Sequence, residues 1–137
     1  MDTIPPERRC VNMSRIRSRH TLPEMIVRRL LHWMGFRYRL HVAHLPGKPD
    51  IVFPRLRKII DVRGCFWHQH KGCIDSHIPK SRTDYWRPKL AKNVRRDREN
   101  EKRLKADGWR MLTLWECELQ VPKPLQHRLA AFLRSAP

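Results

Sequence analysis

RGCFWHQHKGC, residues Arg63 to Cys73, packs two cysteines, two histidines, a lysine, an arginine and an adjacent Phe-Trp pair into eleven positions. That density of reactive and aromatic groups is not that of an ordinary turn. Directly before it, the apolar run Lys58 to Val62 reads as a strand, so the segment is a strand ending in a working loop.

Upstream, Pro54 to Arg57 is a turn, Ile51 to Phe53 a second strand, and Leu45-Pro46-Gly47-Lys48-Pro49 a turn that delivers Asp50 to its head. Phe36, Tyr38, Leu40 and Val42 alternate with Arg37, Arg39 and His41, the period-2 pattern of a strand with one wet, basic face. Hairpin-length connections make these three strands antiparallel neighbours. Thr21 opens a helix, with Thr21 and Glu24 at capping-box spacing, Pro23 in the first turn and Gly35 as the stop. Its expected buried stripe is Ile26, Val27, Leu30, Leu31 and Met34. Glu24 has a plain explanation here as the carboxylate that bonds back to the N-cap amide.

Downstream, Asp84 to Asp107 turns helical, with Trp86, Leu90, Val94, Asp97, Glu101 and Leu104 in steps of three and four and Gly108 as the stop. An aspartate at the interior edge of that helix needs an arginine or a metal as partner. Trp109 to Trp115 is a last strand, and Pro124 to Leu133 a closing helix with Leu125, Leu129 and Phe132 inward. Residues 1 to 20 form a basic, proline-bearing arm, and residues 21 to 137 the domain.

Lys and Arg number 30 against 13 acids, a net charge of +17. An excess of that size implies a polyanionic partner. No apolar stretch approaches the roughly 18 residues that span a bilayer, and MDTIPPERRC has no segment of signal-peptide type. The expectation is a soluble monomer, cytoplasmic or nucleoid-associated, with no membrane role. In such a chain four cysteines near histidines point to metal before disulfides.

Three constellations carry chemistry. Asp50 and Asp61, on adjacent hairpin strands, can share a hard divalent cation, and Arg63, two residues on, points the same way. This is the form of the PD-(D/E)xK nucleases with Arg for Lys, and His68 lies just past the strand, able to handle a water. His70-x-x-Cys73 has ligand spacing, with Cys117 and Asp97 as candidates to complete a tetrahedral, structural zinc site. Cys65 and Cys10 read as packed or free thiols. Phe66 and Trp67 at the loop tip, with Trp86 opening the basic helix, suit insertion between or stacking on bases, whereas Trp109 and Trp115 read as core.

Six segments, in order and at their spacing, carry a resemblance to a known family. They are Asn12-Met13-Ser14 with Arg17-Ser18-Arg19; Thr21-Leu22-Pro23-Glu24; Leu45 to Ile51; Gly64-Cys65-Phe66-Trp67-His68; Lys92-Asn93-Val94 with Arg96-Asp97; and Gly108-Trp109-Arg110 with Trp115-Glu116-Cys117. The chain resembles the very short patch repair (Vsr) DNA mismatch endonucleases over nearly its whole length. The resemblance implies an α/β, restriction-endonuclease-like fold with a mixed central sheet flanked by helices, and nicking of duplex DNA 5′ of the thymine in a T:G mismatch left by deamination of 5-methylcytosine. It implies catalytic Mg²⁺ on Asp50 and the Val62 carbonyl, with His68 and Glu24 on the water, and structural zinc on His70, Cys73, Asp97 and Cys117. Phe66, Trp67 and Trp86 would wedge from the major groove, Met13 from the minor groove, and Lys89 and Asn93 would read bases. A cytosine-5 DNA methyltransferase and mismatch-repair proteins are the implied functional partners.

The chain departs from the family at Asp61 and Arg63, where an aromatic residue and a histidine are expected. Arginine stays charged and cannot act as a general base. Two other readings follow: a related nickase with altered or relaxed specificity, and a non-catalytic zinc-stapled DNA-binding module.

Overall fold

The computed structural model describes residues 21 to 136, less the side chain of residue 75. The expected arm, with Met13 and Cys10, lies outside the described residues. Helix α1 spans Leu22–Trp33. Thr21 Oγ1 accepts the Glu24 amide at 3.3 Å, and Gly35, at φ 92°, lets Phe36 N–H reach Leu31 O at 3.0 Å and close the helix. Its buried row is Glu24, Val27 and Leu31, while Ile26, expected inside, is 40% exposed. The helix is turned so that the stripe runs through a carboxylate.

The sheet order is β1 (Arg39–Leu40), β2 (Ile51–Phe53), β3 (Lys58–Arg63), β4 (Arg110–Trp115). The first three strands are antiparallel, as hairpin connections require, and β4 runs parallel to β3. A parallel neighbour demands a crossover, and helix α2 (Thr83–Ala106) supplies it. Gly108, at φ 88°, closes α2, with Trp109 N–H on Leu104 O at 3.0 Å.

Alternation then sorts the side chains. Ile51, Phe53, Ile60 and Leu114 face α1 and helix α3 (Pro122–Arg134), which inserts Leu125, Leu129 and Leu133. Val52 and Ile59 face the other way, onto Leu104 and Trp109. Helices therefore cover both faces. By the same alternation Asp61 and Arg63 follow Ile59 toward α2, and Val62 follows Ile60.

Three expectations are corrected. The first strand is two residues, not seven. Phe36 and Tyr38 still pack edge-on against Phe53, at 6.4 and 6.1 Å, but His41 adopts φ 45° and breaks the alternation, so its side chain is 9% exposed and not wet. Phe132 is only partly buried, because the inward row of α3 advances in fours to Leu133. Trp115 is half-buried, stacked on His70 at 4.2 Å and 9°.

Lys58, the first residue of β3, is 1% exposed. Its Nζ donates to Phe132 O (2.7 Å), Leu133 O (3.2 Å), Ser135 O (2.8 Å) and Ser135 Oγ (3.1 Å). Burial, with Arg110 beside it, lowers its pKa. The charge nevertheless sits at the negative end of α3, where unpaired carbonyls collect, and Arg110 on the neighbouring strand donates to Ala136 O. Among the described residues, no helix is long and apolar enough to cross a membrane.

Candidate active site

Asp50 and Asp61 clasp each other through the backbone. The register pairs Ile51 with Ile60, which sets Asp50, just before β2, opposite Asp61 within β3. Asp50 Oδ2 accepts the Val62 amide at 3.0 Å, and the Asp50 amide donates to Asp61 Oδ1 at 3.3 Å. The turn before Asp50 is seated against α2: Gly47 has φ 78°, and a Cβ there would lie 2.7 Å from Asn100 Nδ2. A side chain there would be strained at that φ and would have to push the Asn100 amide aside.

The electrostatics are unfavourable to charge. Burial, then the nearby Asp61 and Glu24, push the Asp50 carboxyl up to about 8, against the opposing Val62 amide. Asp61 is also raised, chiefly by burial, although Arg63 pulls it down. Crowded, desolvated carboxylates of this kind fit a hard dication, which would remove the repulsion that raises them.

Glu24 turns its carboxylate inward, while its amide donates to the N-cap Thr21 Oγ1. Oε1 lies 2.9 Å from His41 Nε2 and Oε2 3.4 Å from Arg28 Nη1. Donor atoms of Glu24, His41 and Asp50 lie within 4.8 Å of one another. Sequence reasoning missed His41, which the alternation had assigned to a solvent face.

Arg63 is 9% exposed, with Nη2 2.7 Å from Glu101 Oε1 and 3.7 Å from Asp61 Oδ2 and its guanidinium 5.9 Å from the Trp115 ring. Its charge is balanced by two carboxylates of the protein. Glu101, on α2, had been read only as part of a helical stripe.

His68 Nδ1 lies 2.6 Å from Asp97 Oδ2. A cleft of about 380 Å³ opens here, lined by Arg63, His68, Asp97, Glu101 and Trp115 among others. The structure does not bring Asp97, expected among the zinc ligands, together with His70, Cys73 and Cys117; its carboxylate meets His68 instead. The cluster with metal-binding geometry is Cys65, His70, Cys73 and Cys117, all donor atoms within 4.8 Å. His70 Nδ1 is 3.7 Å from Cys65 Sγ and 3.5 Å from Cys117 Sγ. Tetrahedral donors about 2.0 to 2.3 Å from one zinc ion stand roughly 3.3 to 3.8 Å apart, so the cluster fits. Cys65, expected to be merely packed or free, is 1% exposed, and burial together with the neighbouring Cys117 and Cys73 thiols pushes its thiol up to about 12. The three cysteines among the described residues are free of disulfides.

Phe66, Trp67 and Trp86 pack edge to face, at centroid distances of 5.2, 5.3 and 5.8 Å. Trp86 is 4% exposed, so it is the floor on which the two half-buried loop rings rest. Lys89 Nζ lies 5.5 Å from the Trp67 ring and 5.9 Å from Trp86, and Asn93 Nδ2 donates to Trp67 O at 3.1 Å. One helix face thus holds the aromatic tip, while Lys92, Arg95, Arg96 and Arg98 stand exposed beside it.

Residues 1–74 match the family model described as DNA mismatch endonuclease Vsr. The chain is 50% identical over 132 residues to a type II nicking enzyme, V.XorIIP, of Xanthomonas oryzae pv. oryzae, covering 96% of each chain. It is 40% identical over 133 residues to the type II nicking enzyme V.NmeAIP of Neisseria meningitidis, covering 97% of this chain and 94% of the relative. The DNA mismatch endonuclease Vsr of Escherichia coli is 43% identical over 112 residues, 82% of this chain and 71% of that one.

Proposed function

Because the chain belongs to the Vsr family of DNA mismatch endonucleases, we propose that it nicks one strand of duplex DNA 5′ of the thymine in a T:G mismatch. The reading makes it the first enzyme of very short patch repair of deaminated 5-methylcytosine, working beside a cytosine-5 methyltransferase. The observation that carries it is the Asp50–Asp61 clasp, flanked by a His68–Asp97 pair on one side and by the Phe66–Trp67–Trp86 cluster along the same loop. Two carboxylates paired across adjacent strands also support a PD-(D/E)xK type of centre.

Asp50 and the Val62 carbonyl would hold Mg²⁺. When bound, the ion supplies charge neutralisation at the scissile phosphate and a more acidic water. Asp97, accepting from Nδ1, fixes the ring so that His68 Nε2 is the free base, the atom that takes the proton of the attacking water. Glu24 orients water from the opposite side. Arg63 holds Asp61 in place and balances its charge. Lys89 and Asn93 brace the rings and approach base edges, while the exposed basic residues of α2 bind phosphates in a sequence-independent way. Zinc on Cys65, His70, Cys73 and Cys117 would fix the loop and β4 together.

The test is a nicking assay on T:G and T:A duplexes with and without Mg²⁺. A single cut in the mismatched duplex alone is expected, and equal cutting of both would remove the mismatch reading. The buried Asp61–Arg63–Glu101 network favours a second reading, a nickase of altered specificity, which a panel of other mismatches separates from the first.

A further inference from the structure

The cleft beside His68 shows its unpaired cations at the rim and keeps a neutralised one below. Arg63 Nη2 lies 2.7 Å from Glu101 Oε1 and 3.7 Å from Asp61 Oδ2, so its single charge is answered by two carboxylates. Asp97, a third carboxylate of the cleft, is paired with His68 at 2.6 Å. Lys71 and Arg98 line the same cleft, stand exposed, and among the described residues form no ion pair.

That arrangement is odd for a chain of net charge +17 read as holding a polyanion. A guanidinium, with its fork of donors, is the side chain best suited to a phosphate. Here β3 buries it to 11% exposure, and α2 pairs it with a carboxylate. Glu101, at 30%, is the most exposed of Asp61, Arg63 and Glu101, so a phosphate entering the cleft meets a negative charge before it meets Arg63. An undeformed duplex gains the rim contacts only. A strand driven deeper, as Phe66 and Trp67 would drive one by wedging at a mismatch, can displace the carboxylate and take the guanidinium from it. Exchange of one anion for another leaves Arg63 paired throughout, which avoids the large cost of a buried charge without a partner.

We propose that Glu101 is a positioning residue for specificity: it holds Arg63 off the DNA backbone until a deformed strand reaches the cleft floor, where a backbone phosphate replaces it on the guanidinium. This role rests on the mismatch-nicking reading and goes further in naming what rejects the matched duplex.

The readout is the salt dependence of DNA binding by the full chain, measured without Mg²⁺ on T:G and T:A duplexes of otherwise identical sequence. Each added phosphate contact steepens the slope of log affinity against log salt by about 0.9. For the wild-type chain the T:G slope should be the steeper by about 0.9 or more. Glu101→Gln keeps a hydrogen-bond acceptor for Arg63 but removes the charge; its T:A slope should steepen by about 0.9, and nicking of T:A should rise roughly 10-fold while nicking of T:G changes little. Arg63→Gln in that background should return the T:A slope to the wild-type value. Glu99→Gln, which removes an exposed carboxylate of the same helix that forms no ion pair among the described residues, should leave the slope unchanged. Equal slopes for the two duplexes in the wild type overturn the proposal, and this comparison needs no variant to fold. A Glu101→Gln slope no steeper than that of Glu99→Gln overturns it too, because net charge then explains both. Selective nicking of T:G with equal slopes removes the role of Glu101 and keeps the function; the steepened slopes without any nicking do the reverse.

Discussion

His68 Nδ1 and Asp97 Oδ2 stand 2.6 Å apart, so the histidine at the cleft is held by α2 as much as by its own loop. Asp97→Asn should lower nicking because the amide can stabilise the wrong tautomer. A drop of about 10-fold to 100-fold is expected, smaller than the roughly 10²-fold to 10⁴-fold loss for His68→Ala. Zinc content should be unchanged in both. Single-turnover rates with metal analysis check this, and loss of zinc in Asp97→Asn would return that residue to the zinc site.

Asp50 gives a pH dependence. Its pKa is raised from an ordinary 3.8 to about 8 in the metal-free fold, so the native state holds a proton that the unfolded chain releases. That contribution to stability is complete below the ordinary carboxylate range and is lost as pH rises through about 8. A cation displaces the same proton. Apparent Mg²⁺ affinity should therefore climb with pH and level off above about 8, and calorimetric titrations across that range should show the climb. Asp50→Ala should lose both the Mg²⁺ binding and the nicking but keep DNA affinity; loss of DNA binding would make Asp50 structural.

Cys65 separates two versions of the zinc site. Cys65→Ala should reduce zinc from about one per chain to the same low level as Cys117→Ala, and Asp97→Ala should not. Chelation should lower the thermal midpoint of the wild type more than that of Cys65→Ala. Elemental analysis with thermal melts decides, and full zinc in Cys65→Ala would overturn the assignment.

Lys58→Met should destabilise the fold by roughly 3 kcal/mol, because the carbonyls that end α3 lose a charged donor in a buried place. Nicking per folded molecule should hardly change, since the side chain is at the opposite end of β3 from Asp61 and Arg63. Denaturant melts and an active-site-normalised rate test the split. An unchanged melt would mean that solvent replaces the amine.

The strands β2 and β3, the three helices and the antiparallel pairing were legible because apolar periodicity and helix-stop signals are local. That Asp50 and Asp61 meet across adjacent strands and that His68 follows β3 was legible for the same reason, since they lie next to turns that the sequence punctuates. What was hidden depends on rotation about a backbone. The positive φ at His41 turns an expected solvent-facing ring inward, onto Glu24. Asp97 was rightly placed at the interior edge of α2, but only the path of the loop decides that His68 reaches it while Cys65 folds back to His70, Cys73 and Cys117. Lys58 looked like a strand opening, because its acceptors lie more than seventy residues away on α3.

Strand β3 has no idle position. Lys58 serves α3, Ile59 and Ile60 serve opposite cores, Asp61 and the Val62 amide meet Asp50, and Arg63 meets Glu101. Sliding it by one residue would exchange every one of these partners. Evolution has little freedom inside such a strand: insertions and deletions are barred, and new substrate preferences have to arise from the residues that look at it, among them Glu101 and Trp115.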